Sequence, residues 1–156
     1  MKLMKIAILG LVILLSSFAS AQNNENKSRV DIDEMHARKW QSLVNEAHLT
    51  PKDIEIVQPV FMSYEKSMWT MHQQNHEFFK SALKNAKKVK PDFADLNDHY
   101  VENLYKEAQM FKDYHLQLRK LLQPETLFKY YRAEREYKRN LLQEIQEKHS
   151  SKSQDK

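Results

Sequence analysis

The sequence of 156 residues contains no cysteine, and its single glycine, Gly10, lies in an apolar run near the N-terminus. The absence of cysteine excludes disulfide bonds, thiolate metal ligands, a cysteine nucleophile and a lipidated bacterial N-terminus. Glycine-rich loops that hold phosphates or dinucleotides need the backbone freedom of glycine, which residues 11–156 lack. These absences exclude the common nucleotide-binding motifs.

Charged residues make up 29% of the chain and hydrophobic residues 41%, a balance that favours long, solvated helices when glycine is almost absent. The composition predicts one all-α domain. No group of residues indicates a catalytic centre, so we expect neither an enzyme nor a bound cofactor. Residues 1–21 hold two lysines and no acidic residue, so their removal lowers the net charge from +4 to +2. Such a nearly balanced charge argues against nucleic acid as a partner.

Residues 1–21 have the features of an export signal. A basic start with two lysines precedes the apolar run Ile6–Leu15, and the small residues of Ala19–Ala21 follow, as a signal peptidase requires. We expect cleavage before Gln22. The alternative is an uncleaved membrane anchor, but the apolar run of 10 residues is shorter than the about 20 that cross a bilayer.

Prolines and polar residues divide the rest of the chain into helical segments. The spacing of apolar residues predicts four helices, at about 31–48, 51–88, 93–122 and 124–148. The second helix has the clearest start, because Thr50 is a good N-cap, Pro51 suits the first turn and Asp53 can complete a capping box. A polar lead-in at 22–30 and a polar tail at 149–156 are predicted to be disordered.

The length of the second helix determines the expected shape of the domain, residues 31–148. A helix over 51–88 is about 55 Å long, whereas a compact globule of this size is only about 36 Å across. We therefore expect an elongated molecule built on a hairpin of the second and third helices, with the first and fourth packed onto it. Pro59 is expected to bend the second helix, since it removes one backbone hydrogen bond.

The second helix carries more apolar surface than one packing contact uses. Beside the main apolar stripe of this helix runs a second one, with His72 and His76 between its members. The second stripe consists of Met62, Trp69, Phe79 and Leu83. Internal packing, a second copy of the chain or another protein would cover this wide apolar band. The third helix has one predicted stripe: Phe93, Leu96, Tyr100, Leu104, Ala108, Phe111, Leu118 and Leu122.

A short motif occurs twice, each time at the start of a helix: Leu49-Thr50-Pro51-Lys52-Asp53 and Leu122-Gln123-Pro124-Glu125-Thr126. Two further elements are the run Pro59-Val60-Phe61 with Tyr64 and an ending that contains Ala133-Glu134, Tyr137, Arg139 and Leu141-Leu142. Together these residues resemble the Spy/CpxP family of periplasmic proteins, which is named for its LTXXQ motif, and especially its relatives labelled sensors of ECF-type sigma factors. Asp53 and Thr126 stand where the motif has glutamine.

The resemblance implies a bent helical hairpin that pairs antiparallel with a second copy to form a shallow cradle in the periplasm. Members of this family bind unfolded or misfolded envelope proteins without ATP, or inhibit an envelope stress sensor. Others are linked to metal resistance.

Two groups of polar residues are candidate sites. His72 and His76 are four residues apart on one helix face, a spacing that suits zinc or copper. Two histidines are an incomplete ligand set, so we favour ordinary packing as the explanation of the pair and expect no metal site. A basic rim on the fourth helix, which would otherwise be a solvated face, consists of Lys129, Arg132, Arg135 and Arg139.

We carry two hypotheses from this sequence. The first is a periplasmic, ATP-independent chaperone-like homodimer that holds unfolded envelope proteins on an apolar helix face with basic rims. The second is a regulatory or metal-sensing protein that binds a membrane stress sensor, an anti-sigma partner, or zinc or copper.

Overall fold

The computed structural model describes residues 32–86 and 89–154 of the chain. Within these residues there are four α-helices and no strand: α1 (Ile32–Ala47), α2 (Pro51–Asn85), α3 (Phe93–Leu121) and α4 (Pro124–Gln154). The prediction of an all-α fold built on a helical hairpin is confirmed. The predicted export signal, 1–21, and the lead-in, 22–30, lie outside the described residues. None of the described helices has an apolar stretch of the length that a bilayer crossing requires.

The start of α2 has the predicted capping box. The backbone N–H of Asp53 donates to the Thr50 hydroxyl at 3.2 Å, and the backbone N–H of Thr50 donates to the Asp53 carboxylate at 3.0 Å. Pro51 occupies the first turn of the helix. A backbone N–H at this position has no acceptor within the helix, so no hydrogen bond is lost because proline lacks one. The first family-like motif is therefore a helix start, and its leucine, Leu49, is buried in the core.

The end of α1 is closed by a turn that normally requires glycine. The N–H of Leu49 donates to the carbonyl of Val44 at 3.1 Å, and the N–H of His48 donates to the carbonyl of Asn45 at 3.3 Å. This is the hydrogen-bond pattern of a Schellman motif, in which the residue after the helix adopts a left-handed conformation. In this chain the position is occupied by His48, with φ of 53°, and not by glycine.

The α3 helix begins at Phe93, where the spacing predicted it. The Asp92 carboxylate caps α3 by accepting hydrogen bonds from the N–H groups of Ala94 and Asp95, a cap that follows directly on Pro91. The backbone of α4 stays helical to Gln154, into the polar tail predicted at 149–156. No proline or glycine follows Pro124 to end that helix.

The α2 and α3 helices pair antiparallel along their whole length. Four side-chain contacts follow one register: Tyr64 with Tyr114, His72 with Glu107, Asn75 with Asn103, and Phe78 with His99. With 35 residues, α2 is about 52 Å long. The hairpin is therefore elongated, as the predicted length of this helix implied.

The hydrophobic core lies at one end of this hairpin, the end that contains both family-like motifs. There α1 packs mainly on α4, and the pair lies against the hairpin. The core consists of Trp40, Leu43, Ala47, Leu49, Val57, Phe61, Tyr114, Leu118, Leu122, Leu127, Tyr130 and Ala133. All these residues come from segments within about 20 residues of the two loops at this end. We call this part of the molecule the base.

A buried ion network joins α1, α2 and α4 within the base. The ammonium of Lys39 lies 2.7 Å from Oε1 of Glu65 and 3.2 Å from Oε1 of Glu134, and 5.7 Å from the centre of the Phe61 ring. Lys138 adds a second cation, 3.6 Å from Glu134. Burial lowers the pKa of Lys39, but the two carboxylates outweigh burial and raise it above its ordinary value of 10.5. Lys39 is therefore held in its charged form.

Three tyrosines complete the polar part of the core. The rings of Tyr64 and Tyr114 stack with centroids 4.1 Å apart, and the hydroxyls of Tyr114 and Tyr130 are hydrogen-bonded at 2.6 Å. Burial, reinforced by nearby Glu134, raises the pKa of each phenol above its ordinary value of 10.0. These side chains therefore stay neutral in the folded protein at a pH that would ionise them in the unfolded chain.

His48→Gly is predicted to stabilise the protein by up to about 1 kcal/mol. Glycine adopts a left-handed conformation without the steric cost that His48 bears, and the greater freedom of glycine in the unfolded chain offsets part of the gain. Urea unfolding of both proteins measures the difference. His48→Ala is the control and should not stabilise. A glycine variant less stable than wild type would contradict this description of the turn.

The base is predicted to lose stability above about pH 10. The unfolded chain releases tyrosine protons near pH 10, whereas the folded chain keeps those of Tyr64, Tyr114 and Tyr130 to higher pH, so the free energy of unfolding falls as pH rises. Lys39, whose pKa is also raised, adds to this loss above about pH 10.4. Each such group contributes a slope of up to about 1.4 kcal/mol per pH unit.

Urea unfolding at intervals from pH 8 to pH 11.5 tests this slope. The double variant Tyr114→Phe/Tyr130→Phe removes a hydrogen-bonded pair together, so neither hydroxyl is left unpaired, and it should unfold with a shallower alkaline slope than wild type. An identical slope in the two proteins would show that these phenols do not set the pH dependence.

Candidate protein-binding face

The hairpin extends beyond the part that α1 and α4 cover. We call its outer part, residues 66–111, the arm. At the base, α1 contacts one side of α2 through Trp40 on Phe61, with ring centroids 5.0 Å apart, and through the Lys39 and Glu65 ion pair. Helical spacing continues this side of α2 into the arm at His72, Phe79 and Leu83.

On α3 the corresponding side is contacted by α4. The ring of Phe111 lies 5.8 Å from that of Tyr131, and the Tyr131 hydroxyl is hydrogen-bonded to Nδ1 of His115 at 2.9 Å. The same side of α3 continues towards the end of the arm through Leu104, Tyr100 and Phe93. All three are exposed, Tyr100 to 44% and Phe93 to 56%.

Because α1 and α4 pack together over the base, these two continuations lie on one side of the hairpin. We define the arm face by six residues: Phe79, Leu83, Phe93, Tyr100, Leu104 and Phe111. Val101 and Tyr105 border it and are the more exposed, at 62% and 67%. Aromatic side chains of this type present about 150–250 Å² each when free, so the exposed apolar area is on the order of 500 Å². This is about the size of the largest apolar patch on a typical monomer, and such a patch is often functional.

The predicted stripe of α3 is divided by the structure. Leu96, Tyr114 and Leu118 are buried in the hairpin and the core, whereas Tyr100 and Leu104 are exposed. Each residue advances the helix by about 100°, so Leu96 and Tyr100 lie only some 40° apart. Leu118 and Tyr100 lie on the same side of α3, so the boundary between buried and exposed residues runs along the helix as well as around it. Spacing alone could not locate this boundary, because both residues fit one wide stripe.

The predicted apolar band on α2 is mostly half-buried. Met62 packs against the core, Trp69 is half-buried, and Phe79 lies edge-on to His99 with centroids 5.6 Å apart. Leu83 alone of the four is exposed, at 57%. The exposed apolar side chains of the arm therefore lie mainly on α3.

The basic residues of α4 divide into two kinds. Lys129 pairs with Glu125 at 2.8 Å, and Arg139 pairs with Glu136. The remaining two, Arg132 and Arg135, are exposed, and no ion pair joins either of them to another described residue. Arg135 lies one turn beyond Tyr131, which contacts Phe111, so its charge is close to the inner end of the arm face.

The two candidate metal-binding histidines do not form a ligand cluster. Nδ1 of His72 faces Oε1 of Glu107 across the hairpin at 3.5 Å, and His76 is half-buried on α2. Among residues 32–86 and 89–154, no group of three or more His, Asp or Glu side chains is placed to hold a metal ion. The second family-like motif is structural, since Leu122 is buried, Pro124 begins α4 and Thr126 is half-buried.

Several residues of the site were not identified from the sequence. Val101 and Tyr105 have helical spacing with Ala108, but they lie outside the predicted α3 stripe. Lys39, Glu65 and Glu134 look like ordinary surface charges in an amphipathic pattern, and their pairing depends on the contact of three helices.

Comparisons of this chain with protein-family models, with curated proteins and with solved structures found no match.

Proposed function

We propose that this protein binds unfolded or stress-damaged envelope proteins without ATP, and that it holds them on the arm face. The observation that carries the proposal is the row of exposed apolar side chains along α3, which α1 and α4 leave uncovered. Burial of such a surface against apolar segments of another protein lowers the free energy and so favours binding.

Two features of the sequence support the proposal. The export signal predicted at residues 1–21 directs the protein to the periplasm, and the resemblance of both motif copies to the Spy/CpxP family agrees with a chaperone-like role there. Half-buried methionines on α2, such as Met62 and Met68, can adapt to different apolar partners.

The double variant Tyr100→Asp/Leu104→Asp is predicted to suppress aggregation poorly. Burying a carboxylate against an apolar client costs free energy, and a loss of about 1.4 kcal/mol corresponds to a tenfold weaker complex. We therefore expect about tenfold more of the variant to be needed for equal suppression. The measurement is light scattering of a chemically denatured model protein on dilution, without ATP, at near-stoichiometric amounts.

A matched control is Thr70→Asp/Ser81→Asp, which adds the same two charges at exposed polar positions on α2. Circular dichroism and urea unfolding establish that both variants are folded. A wild-type protein that suppresses no aggregation would contradict the proposed function. Equal suppression by the wild type and the folded arm-face variant would place the binding surface elsewhere.

A further inference from the structure

The arm face continues an interface that is filled at the base. At the base, α1 contacts Phe61 and Glu65 of α2, and α4 contacts Phe111 of α3 through Tyr131 but leaves Phe111 42% exposed. Both occupants of the interface are amphipathic helices. Beyond them, the same sides of α2 and α3 present Phe79 and Leu83, and Leu104, Tyr100 and Phe93, with no helix above them in the described part of the chain.

The chain itself has little to place on this face. Residues 22–31, which precede α1, include a single apolar side chain, Val30. The apolar run Ile6–Leu15 is predicted to be removed on export. The α4 helix, although it continues to Gln154, leaves Tyr100 and Leu104 exposed. These observations favour another molecule as the occupant of this face.

The charges beside the arm face are basic at the end near the base. Arg132 follows Tyr131 directly on α4 and Arg135 lies one turn beyond it, and both are exposed. Lys112 is exposed on the same side of α3 as Tyr105. None of the three forms an ion pair with a described residue. An occupant with carboxylates at its edges would neutralise these cations, whereas a basic occupant would be repelled.

We propose that the occupant is an amphipathic α-helix of a partner protein, apolar on one side and acidic along its edges, which lies on the arm face as α1 and α4 lie on the base. This inference rests on the proposed function and specifies the kind of segment that is held. From Phe93 to Phe111 the face is about 27 Å long, so the bound helix has about 18 residues.

The inference predicts that an acidic amphipathic peptide binds about tenfold more tightly than its basic counterpart. The probes are two labelled 18-residue peptides with leucine at helical spacing, one with glutamate and one with lysine at every polar position. A third peptide has the composition of the first with its order scrambled to destroy the apolar side. Fluorescence anisotropy with the purified wild-type protein measures the three dissociation constants.

Two variants assign the contacts. Tyr100→Asp/Leu104→Asp should weaken the acidic peptide about tenfold, and Arg132→Glu/Arg135→Glu should abolish or reverse the preference for the acidic over the basic peptide. The control Lys52→Glu/Lys66→Glu makes the same change of charge at exposed positions of α2 and should keep the wild-type preference. Equal binding of the acidic and scrambled peptides, or an unchanged preference in the arginine variant, would overturn the inference.

Failure of this inference and failure of the proposed function are distinguishable. If the wild type suppresses aggregation but does not discriminate among the three peptides, the face holds apolar segments without regard to helix or charge, and the inference is wrong while the proposed function stands. If the acidic peptide binds as predicted but no aggregation is suppressed, the face recognises a defined helix and the proposed general binding of unfolded proteins is wrong.

Discussion

One buried lysine connects the parts of this fold. Lys39 on α1 contacts carboxylates of both α2 and α4, so the three helices can pack only in the register that brings Glu65 and Glu134 to it. A buried charge that loses its partner costs several kcal/mol. The ion network therefore disfavours any sliding of α1 and α4 along the hairpin. It fixes where these two helices cover α2 and α3, and thereby where the cover ends.

The uncovered arm follows from that position. Inside the arm, α2 and α3 contact each other along one side of each helix. Examples are the hydrogen bond between Asn75 and Asn103 at 2.9 Å and the stacking of Phe78 on His99. Two helices in contact bury only one side of each, so an apolar residue on any other side stays in water. Tyr100 and Leu104 are in that situation, and this is why the exposed apolar row is on α3 and not in the core.

Local signals in the sequence determined most of the fold. Thr50, Pro51 and Asp53 predicted the start of α2, and the length of the apolar pattern after them predicted an elongated hairpin. What local spacing could not determine was which half of each helix is covered. The burial of Leu118 and the exposure of Tyr100 depend on where α1 and α4 lie, and the position of these helices depends on Lys39, whose partners are 26 and 95 residues away in the chain. For the same reason, the exposed apolar side chains of the arm lie mainly on α3, whereas the predicted band on α2 is mostly half-buried.

Hydroxyl-radical footprinting of the purified protein, read by mass spectrometry at single residues, tests this account most directly. Aromatic side chains react at rates that follow their exposure to water, and the base and the arm supply both kinds in one molecule. The account predicts rapid oxidation of Phe93, Tyr100 and Tyr105 and strong protection of Phe61, Tyr114 and Tyr130. Protection of the first three equal to that of the core aromatics would show that the arm face is closed in solution and would contradict the account.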